Sequence, residues 1–173
     1  MLIREQITIE KFDDKEYQIR LIEPMQEEKA VITHYLHNIN NDISKHYKKD
    51  ALRHINEFVK YKNESKETIV AEEALQQLLF EVENVPFPSP KKFDFDFIDL
   101  FAGIGGFRIA MQNVGGNCSY TSEWNKDAKI TYQANFGKVP FGDITKEFTK
   151  NNIPPKFDIL CAGFPCQAFS IAG

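Results

Sequence analysis

Phe97-Ile98-Asp99-Leu100-Phe101-Ala102-Gly103-Ile104-Gly105-Gly106-Phe107 sets the architecture of the chain. Its first half is apolar around one acid and reads as a strand, about Phe95 to Phe101. The glycines then turn the chain into a helix from about Gly105 to Asn113. Strand, glycine turn and helix in direct succession open a parallel α/β unit. Gly103-x-Gly105-Gly106 lacks the third, distant glycine of the dinucleotide fingerprint. Taken alone it is a weak sign of a nucleotide-like ligand. Its backbone can still approach a ligand closely, because glycine has no side chain there.

The same alternation continues on the C-terminal side. Gly115-Gly116 closes the first helix, and Asn117 to Thr121 reads as a second strand. Asn125 is the expected cap of a helix running to about Asn135. A short strand covers Val139 to Phe141. A fourth, Phe157-Asp158-Ile159-Leu160, is apolar, bounded by Pro154-Pro155 and Gly163, and reads as buried. Three strand ends carry polar or aromatic groups suited to a ligand. Glu123 stands where an acid hydrogen-bonds ribose hydroxyls, Asp143 where one meets an adenine amine, and Phe101 and Trp124 offer aromatic faces. Glu123 alone reads equally well as an acid favoured by a helix start. Together these residues point to a cofactor that carries adenosine.

The last strand leads into Cys161-Ala162-Gly163-Phe164-Pro165-Cys166-Gln167-Ala168-Phe169-Ser170. A parallel strand delivers its closing residues to the carboxyl edge of the sheet, where open α/β folds place their ligands. Pro165 fixes its own φ and biases Phe164 toward extended backbone, so Cys166 is presented in a set direction. A lone cysteine is more often a small buried hydrophobe; the company it keeps here argues for a nucleophile.

These four pieces, in this order, closely resemble the first motifs of the DNA (cytosine-5)-methyltransferases. The resemblance implies S-adenosyl-L-methionine as cofactor, with Phe101, Gly103, Ile104 and Gly105 in its loop. Glu123 would take the ribose, Trp124 would pack on the adenine, and Asp143 and Ile144 would line the adenine pocket. It implies Cys166 as the catalytic nucleophile, with Phe164 and Pro165 shaping the base pocket and Gln167 and Ser170 opening a loop that faces double-stranded DNA. No metal is implied. The expected fold is α/β, the N-terminal half of a Rossmann-like S-adenosylmethionine-dependent methyltransferase sheet with strand order 3-2-1-4. The resemblance covers about Phe93 to Gly173.

Downstream of Cys166 the chain holds neither the family's Glu-Asn-Val motif nor its Gln-x-Arg-x-Arg motif. The expectation is therefore an incomplete chain that needs a C-terminal half or second subunit for activity. A partner restriction endonuclease is expected from family habit. The competing expectation is a non-catalytic binding or assembly module derived from a methyltransferase. A nicotinamide-dependent Rossmann enzyme ranks lower, since it leaves Pro165-Cys166-Gln167 unexplained.

Composition divides the chain. Of 173 residues, all nine glycines lie at or after Gly103 and all four histidines at or before His54. Val85-Pro86-Phe87-Pro88-Ser89-Pro90 sits at the changeover and reads as a semi-rigid linker over 85–92. The expected domains are an accessory, mainly helical unit over 1–84 and a catalytic part over 93–173. In the accessory unit, alternation at Ile7, Ile9 and again at Tyr17, Ile19, Leu21 predicts a β-hairpin. Helices are expected over Glu27–His37, from Asn41 or Asp42 through Val59, and over Glu67–Glu83. His34-x-x-His37 lacks the accompanying ligands of a metal site and reads as structural. Lys45, Lys48, Lys49, Arg53, Lys60 and Lys62 read first as a solvated face and second as a phosphate contact. The net charge of −4 is unusual for a free-standing DNA binder. No apolar run approaches the roughly 20 residues of a membrane span. Three cysteines without ligand spacing suit a reducing cytoplasm.

Overall fold

The computed structural model describes residues 4–12, 15–23, 26–64, 82 and 84–164. Strands β1 (Arg4–Phe12) and β2 (Lys15–Glu23) pair antiparallel, Arg4 opposite Glu23 and Phe12 opposite Lys15. Helices α1 (Gln26–His37) and α2 (Ser44–Glu64) come next. They lead to β3 (Phe95–Leu100), α3 (Gly106–Asn113), β4 (Gly116–Ser122), α4 (Lys126–Phe136), α5 (Glu147–Asn151) and β5 (Ile159–Ala162). The helix expected over Glu67–Glu83 lies outside the described residues.

Strands β4, β3 and β5 form a parallel sheet in that order, with Ile98 opposite both Tyr120 and Leu160. Successive residues of β3 face opposite sides, and each side is covered by a different part of the chain. Phe97 packs with Cys118, Cys161 and Met111 of α3. Ala102, Ile109, Tyr132 and Phe136 form a neighbouring cluster between α3 and α4. Ile98 and Tyr120 instead join Ala30, Val31, Tyr35, Tyr47, Ala51 and Ile55 of α1 and α2, along with Val139 and Phe141. The helices of the N-terminal half therefore share one core with the sheet. Fully burying side chains of this size is worth about 1.5–3 kcal/mol each.

The outer edge of β4 corrects the expectation of a strand over Val139–Phe141. A single parallel bridge, Ser122 to Phe141, stands in its place. Side chains occupy the backbone groups that a neighbouring strand would pair. Lys138 Nζ donates to the Cys118 carbonyl. Asn38 Nδ2 and Tyr47 Oη both donate to the Ser119 carbonyl, at 3.3 and 3.2 Å. The Thr121 amide donates to His34 Nε2 at 3.1 Å. Buried backbone groups need partners, and here Lys138 and the α1–α2 segment supply them.

That last bond fixes the protonation of His34. Nε2 accepts from Thr121, so Nδ1 carries the proton and donates to the Ala30 carbonyl at 2.8 Å. Burial, reinforced by Lys138, holds His34 well below the usual histidine range. The unfolded chain binds a proton near pH ~6.5 that the folded chain refuses, so stability is lost as pH falls through that value. Between pH 7 and 5 the melting temperature should fall more steeply for the native chain than for His34→Gln. Thermal melts read by circular dichroism check this; parallel slopes would contradict it. His37, also lowered, and Asp99, raised, are common to both proteins and cancel in the comparison.

Residues 84–92 have no regular secondary structure but are bound down. Phe87 N donates to the Asn135 carbonyl at 3.0 Å, Gln112 Nε2 donates to the Pro88 carbonyl at 3.1 Å, and Ser89 Oγ meets both His37 Nδ1 and Arg108. The fourth strand begins at Ile159 rather than Phe157 and is not buried: Phe157 and Ile159 are 37% exposed and Leu160 53%. Among the described residues β5 is an edge strand, which leaves its apolar side chains uncovered. Exposed cations on α2 and α5 have near neighbours of opposite charge, Lys45–Asp42 at 2.6 Å, Arg53–Asp50 at 2.9 Å and Lys150–Glu147 at 3.2 Å. Such pairs are what a solvated face carries. No helix among the described residues is long and apolar enough to cross a membrane.

Candidate cofactor and catalytic site

All three sheet strands and the Phe141 bridge run in one direction, so the segments that leave them meet at a single edge. After β3 the backbone enters left-handed conformations, Phe101 at φ 58°, Gly103 at 55° and Gly105 at 99°. Glycine accepts this freely, whereas Phe101 holds it against steric resistance. Such strain concentrates at ligand-binding turns. Gly105 is fixed by packing as well, because an added Cβ would lie 2.1 Å from the Phe136 ring. At Gly103 the same addition meets nothing within 4 Å. One glycine is enclosed by the protein, and the other has open space over its backbone.

Glu123 ties the turn to the end of β4. It is 7% exposed; its Oε2 accepts from Gly103 N and its Oε1 from Asn125 N, both at 2.7 Å. A carboxylate has about four acceptor positions, so each oxygen keeps capacity for a hydroxyl donor. Ala102 N donates to the Ser122 carbonyl at 3.0 Å, and Glu123 N to the Phe141 carbonyl at 2.9 Å. Asn125 then caps α4, accepting from Ala128 N at 2.9 Å. Beyond Phe141, Asp143 Oδ1 accepts from Thr145 N at 2.9 Å, and that bond lowers its carboxyl below the ordinary value. Asp143 is therefore an anion at neutral pH. Ile144 is half-buried against the α1–α2 core.

Large apolar groups stand exposed along this edge: Trp124 (74%), Ile104 (61%), Phe164 (56%) and Phe101 (37%). Past β5, a Cβ on Gly163 would lie 3.0 Å from the Phe107 ring, so the last strand leaves the sheet beside the start of α3. Pro165, Cys166, Gln167 and Ser170 lie outside the described residues. The structure thus gathers Phe101, Gly103, Ile104, Gly105, Glu123, Trp124, Asp143, Ile144 and Phe164 on the carboxyl edge. Open backbone at Gly103, a buried carboxylate with spare acceptors and an exposed indole fit an adenosine-bearing group.

Several residues around the site are silent in the sequence pattern. Asp99 is fully buried in β3, and neither of its oxygens has a hydrogen-bond partner. Burial pushes its carboxyl up to about 7, against the pull of Arg108 and with a push from Glu123. Arg108 is also fully buried. It donates to Gln112 Oε1, Tyr132 Oη and Ser89 Oγ at 2.6, 3.2 and 3.1 Å, with its guanidinium 4.5 Å from the Phe136 ring centre. The helical Gly-Phe-Arg spacing gives no hint that this charge points inward. His34 and His37 are separately engaged, on Thr121 and Ser89. No group of metal-ligating side chains occurs among the described residues.

The fold is that of an α/β protein built on a parallel sheet, and open sheets of this kind place ligands at their carboxyl edge. Residues 95–173 match the C-5 cytosine-specific DNA methylase family. It is 64% identical over 107 residues to the type II methyltransferase M.HpaII of Haemophilus parainfluenzae, covering 62% of this chain and 29% of that protein. It is 58% identical over 77 residues to M.HhaI of Haemophilus parahaemolyticus, 44% of this chain and 23% of that one. M.MspI of a Moraxella species is 58% identical over 80 residues, 46% and 19% of the two chains. The chain thus spans less than a third of the length of these relatives. The match to M.HpaII is longer than the stretch from Phe95 to Gly173, so it reaches upstream of β3. The resemblance is therefore not confined to Phe93 onward.

Proposed function

We propose that the protein acts in DNA cytosine-5 methylation, transferring a methyl group from S-adenosyl-L-methionine to carbon 5 of a cytosine in double-stranded DNA. The observation that carries the reading is the joining of the glycine turn to Glu123, Gly103 N to Oε2 at 2.7 Å, beside exposed Trp124. In this reading the crevice belongs to a Rossmann-like methyltransferase sheet of order 3-2-1-4. When bound, the cofactor supplies an electrophilic methyl group. Glu123 holds the ribose, Asp143 the adenine amine, Ile144 and Trp124 the ring faces. Phe101, Gly103, Ile104 and Gly105 form the loop around the rest.

The cytosine must leave the duplex to be reached. Phe164 and Pro165 shape its pocket, and Gln167 and Ser170 begin the DNA-facing loop. The Cys166 thiolate adds to carbon 6, which breaks the ring's aromaticity and makes carbon 5 nucleophilic. Carbon 5 then takes the methyl group and loses its proton, and elimination of the thiolate from carbon 6 restores the ring. The catalytic part is proposed as 93–173 and the accessory unit as 1–84, with 85–92 between them and α1 and α2 packed on the sheet. A C-terminal half or second subunit completes it in the cytoplasm, with a restriction endonuclease as partner. Any missing half would find apolar surface at β5.

Methyl transfer from tritiated cofactor to unmethylated DNA tests this, with the 173-residue chain alone and mixed with a polypeptide carrying the remaining motifs. Label should enter DNA in the mixture alone. Transfer by the chain alone would refute the need for a second half. Silence in both, despite a folded complex, would leave a non-catalytic assembly module.

A further inference from the structure

We propose that His34 is a positioning residue for the cofactor site, holding from α1 the two segments that carry Glu123 and Asp143. The inference rests on the cofactor reading above. Thr121 precedes Glu123 by two residues, and Phe141 precedes Asp143 by two. His34 touches both. Its Nε2 accepts from the Thr121 amide at 3.1 Å, and its ring centre lies 4.4 Å from that of Phe141. The two segments are joined beneath it by Phe141 N to the Thr121 carbonyl and Glu123 N to the Phe141 carbonyl, each 2.9 Å.

A single bridge is all the regular pairing among the described residues at this edge. Without a ladder, the relative height of Glu123 and Asp143 depends on few contacts, and His34 supplies one to each side. Tyr47 and Tyr120 complete the enclosure, their ring centres 5.5 and 5.7 Å from the imidazole. His34 is fully buried and lies away from the crevice, so it acts only through Thr121 and Phe141. Leucine in its place would fill the space but leave the Thr121 amide unpaired, and a buried donor without an acceptor is costly. Glutamine keeps an acceptor.

Trp124 is the chain's one tryptophan and stands exposed on the carboxyl edge next to Glu123, so its fluorescence should report cofactor. S-adenosyl-L-methionine should bind His34→Gln within about threefold of the native affinity and His34→Leu at least about tenfold more weakly. In His34→Leu, hydrogen exchange at the Thr121 and Glu123 amides should quicken while far-ultraviolet circular dichroism is retained. Because burial keeps His34 neutral in the folded chain, the affinities of the native chain and His34→Gln should follow the same course between pH 7 and 5. The charged and titratable groups facing His34 are Lys138, Arg108, Lys129, His37, Tyr47 and Tyr120. All are common to the proteins compared.

A folded His34→Leu that binds natively with unchanged amide protection overturns the proposal, as do two variants equally weakened, which would make the ring mere filling. Should His34→Leu not fold, His34→Met removes the ring and its strong acceptor in the same place, and native binding with unchanged amide protection there overturns the proposal. A native chain whose Trp124 signal ignores the cofactor removes the cofactor reading itself, and the positioning role with it.

Discussion

Gly105→Ala is expected to lower the melting temperature by about 10 °C, a large effect for one added methyl group. Two penalties coincide there. The backbone φ of 99° lies where an L side chain is strained, at a cost of roughly 1–2 kcal/mol. The new Cβ would also lie 2.1 Å from the Phe136 ring, and overpacking of a fixed core costs about 1–3 kcal/mol. Phe136 cannot simply swing aside. Its other neighbours are Tyr132 with ring centres 4.6 Å apart, Phe87 at 5.8 Å and the Arg108 guanidinium at 4.5 Å. For a chain of this length each kcal/mol is worth about 2–4 °C. Gly103→Ala provides the contrast. It meets open space, so it should melt within about 5 °C of native while losing Trp124 quenching by the cofactor. Equal melting temperatures for native and Gly105→Ala would show that the α3–α4 core yields more than its packing suggests.

Cys166→Ala should reduce methyl transfer in the completed enzyme by about four orders of magnitude or more, since removing a nucleophile leaves only the residual help of binding. The cofactor should still quench Trp124 normally, because the proposed role of Cys166 concerns the base rather than the adenosine. A DNA duplex with 5-fluorocytosine at the target sharpens the test. Fluorine at carbon 5 cannot leave as a proton does, so the carbon 6 adduct should persist as a covalent complex that survives denaturation. The native protein should give that complex and Cys166→Ala should not. An adduct formed equally well by both would place the nucleophile elsewhere.

Much of this architecture is legible from local chemistry. The apolar run Phe97-Ile98 before a glycine turn gives β3 and α3 to within a residue, and Asn125 declares the start of α4 through its side chain. Glu123 and Asp143 stand out because an acid just past a strand end has a limited set of uses. The failures share a cause, dependence on a distant partner. Val139–Phe141 looks like a strand because nothing local reveals that β4's outer edge is met by His34, 87 positions away, with Asn38 and Tyr47. Ile159 and Leu160 look buried because an apolar run reads alike in a central and an edge strand. The inward turn of Arg108 is invisible, since exposed helix positions usually hold such charges. The spacing His34-x-x-His37 reads as structural, yet it carries no sign that the two rings serve different neighbours.

The side chains along β4 also give the sheet a direction of growth. An unpaired edge accepts any strand that matches it, which is how wrong partners join. Here carbonyl and amide groups on the β4 side are already engaged by lysine, asparagine, tyrosine and histidine. A newcomer there would have to evict four side chains. On the β5 side it meets exposed Ile159 and Leu160. Among the described residues the sheet thus offers an incoming strand one open side, and chemistry already in place disfavours assembly in the wrong order.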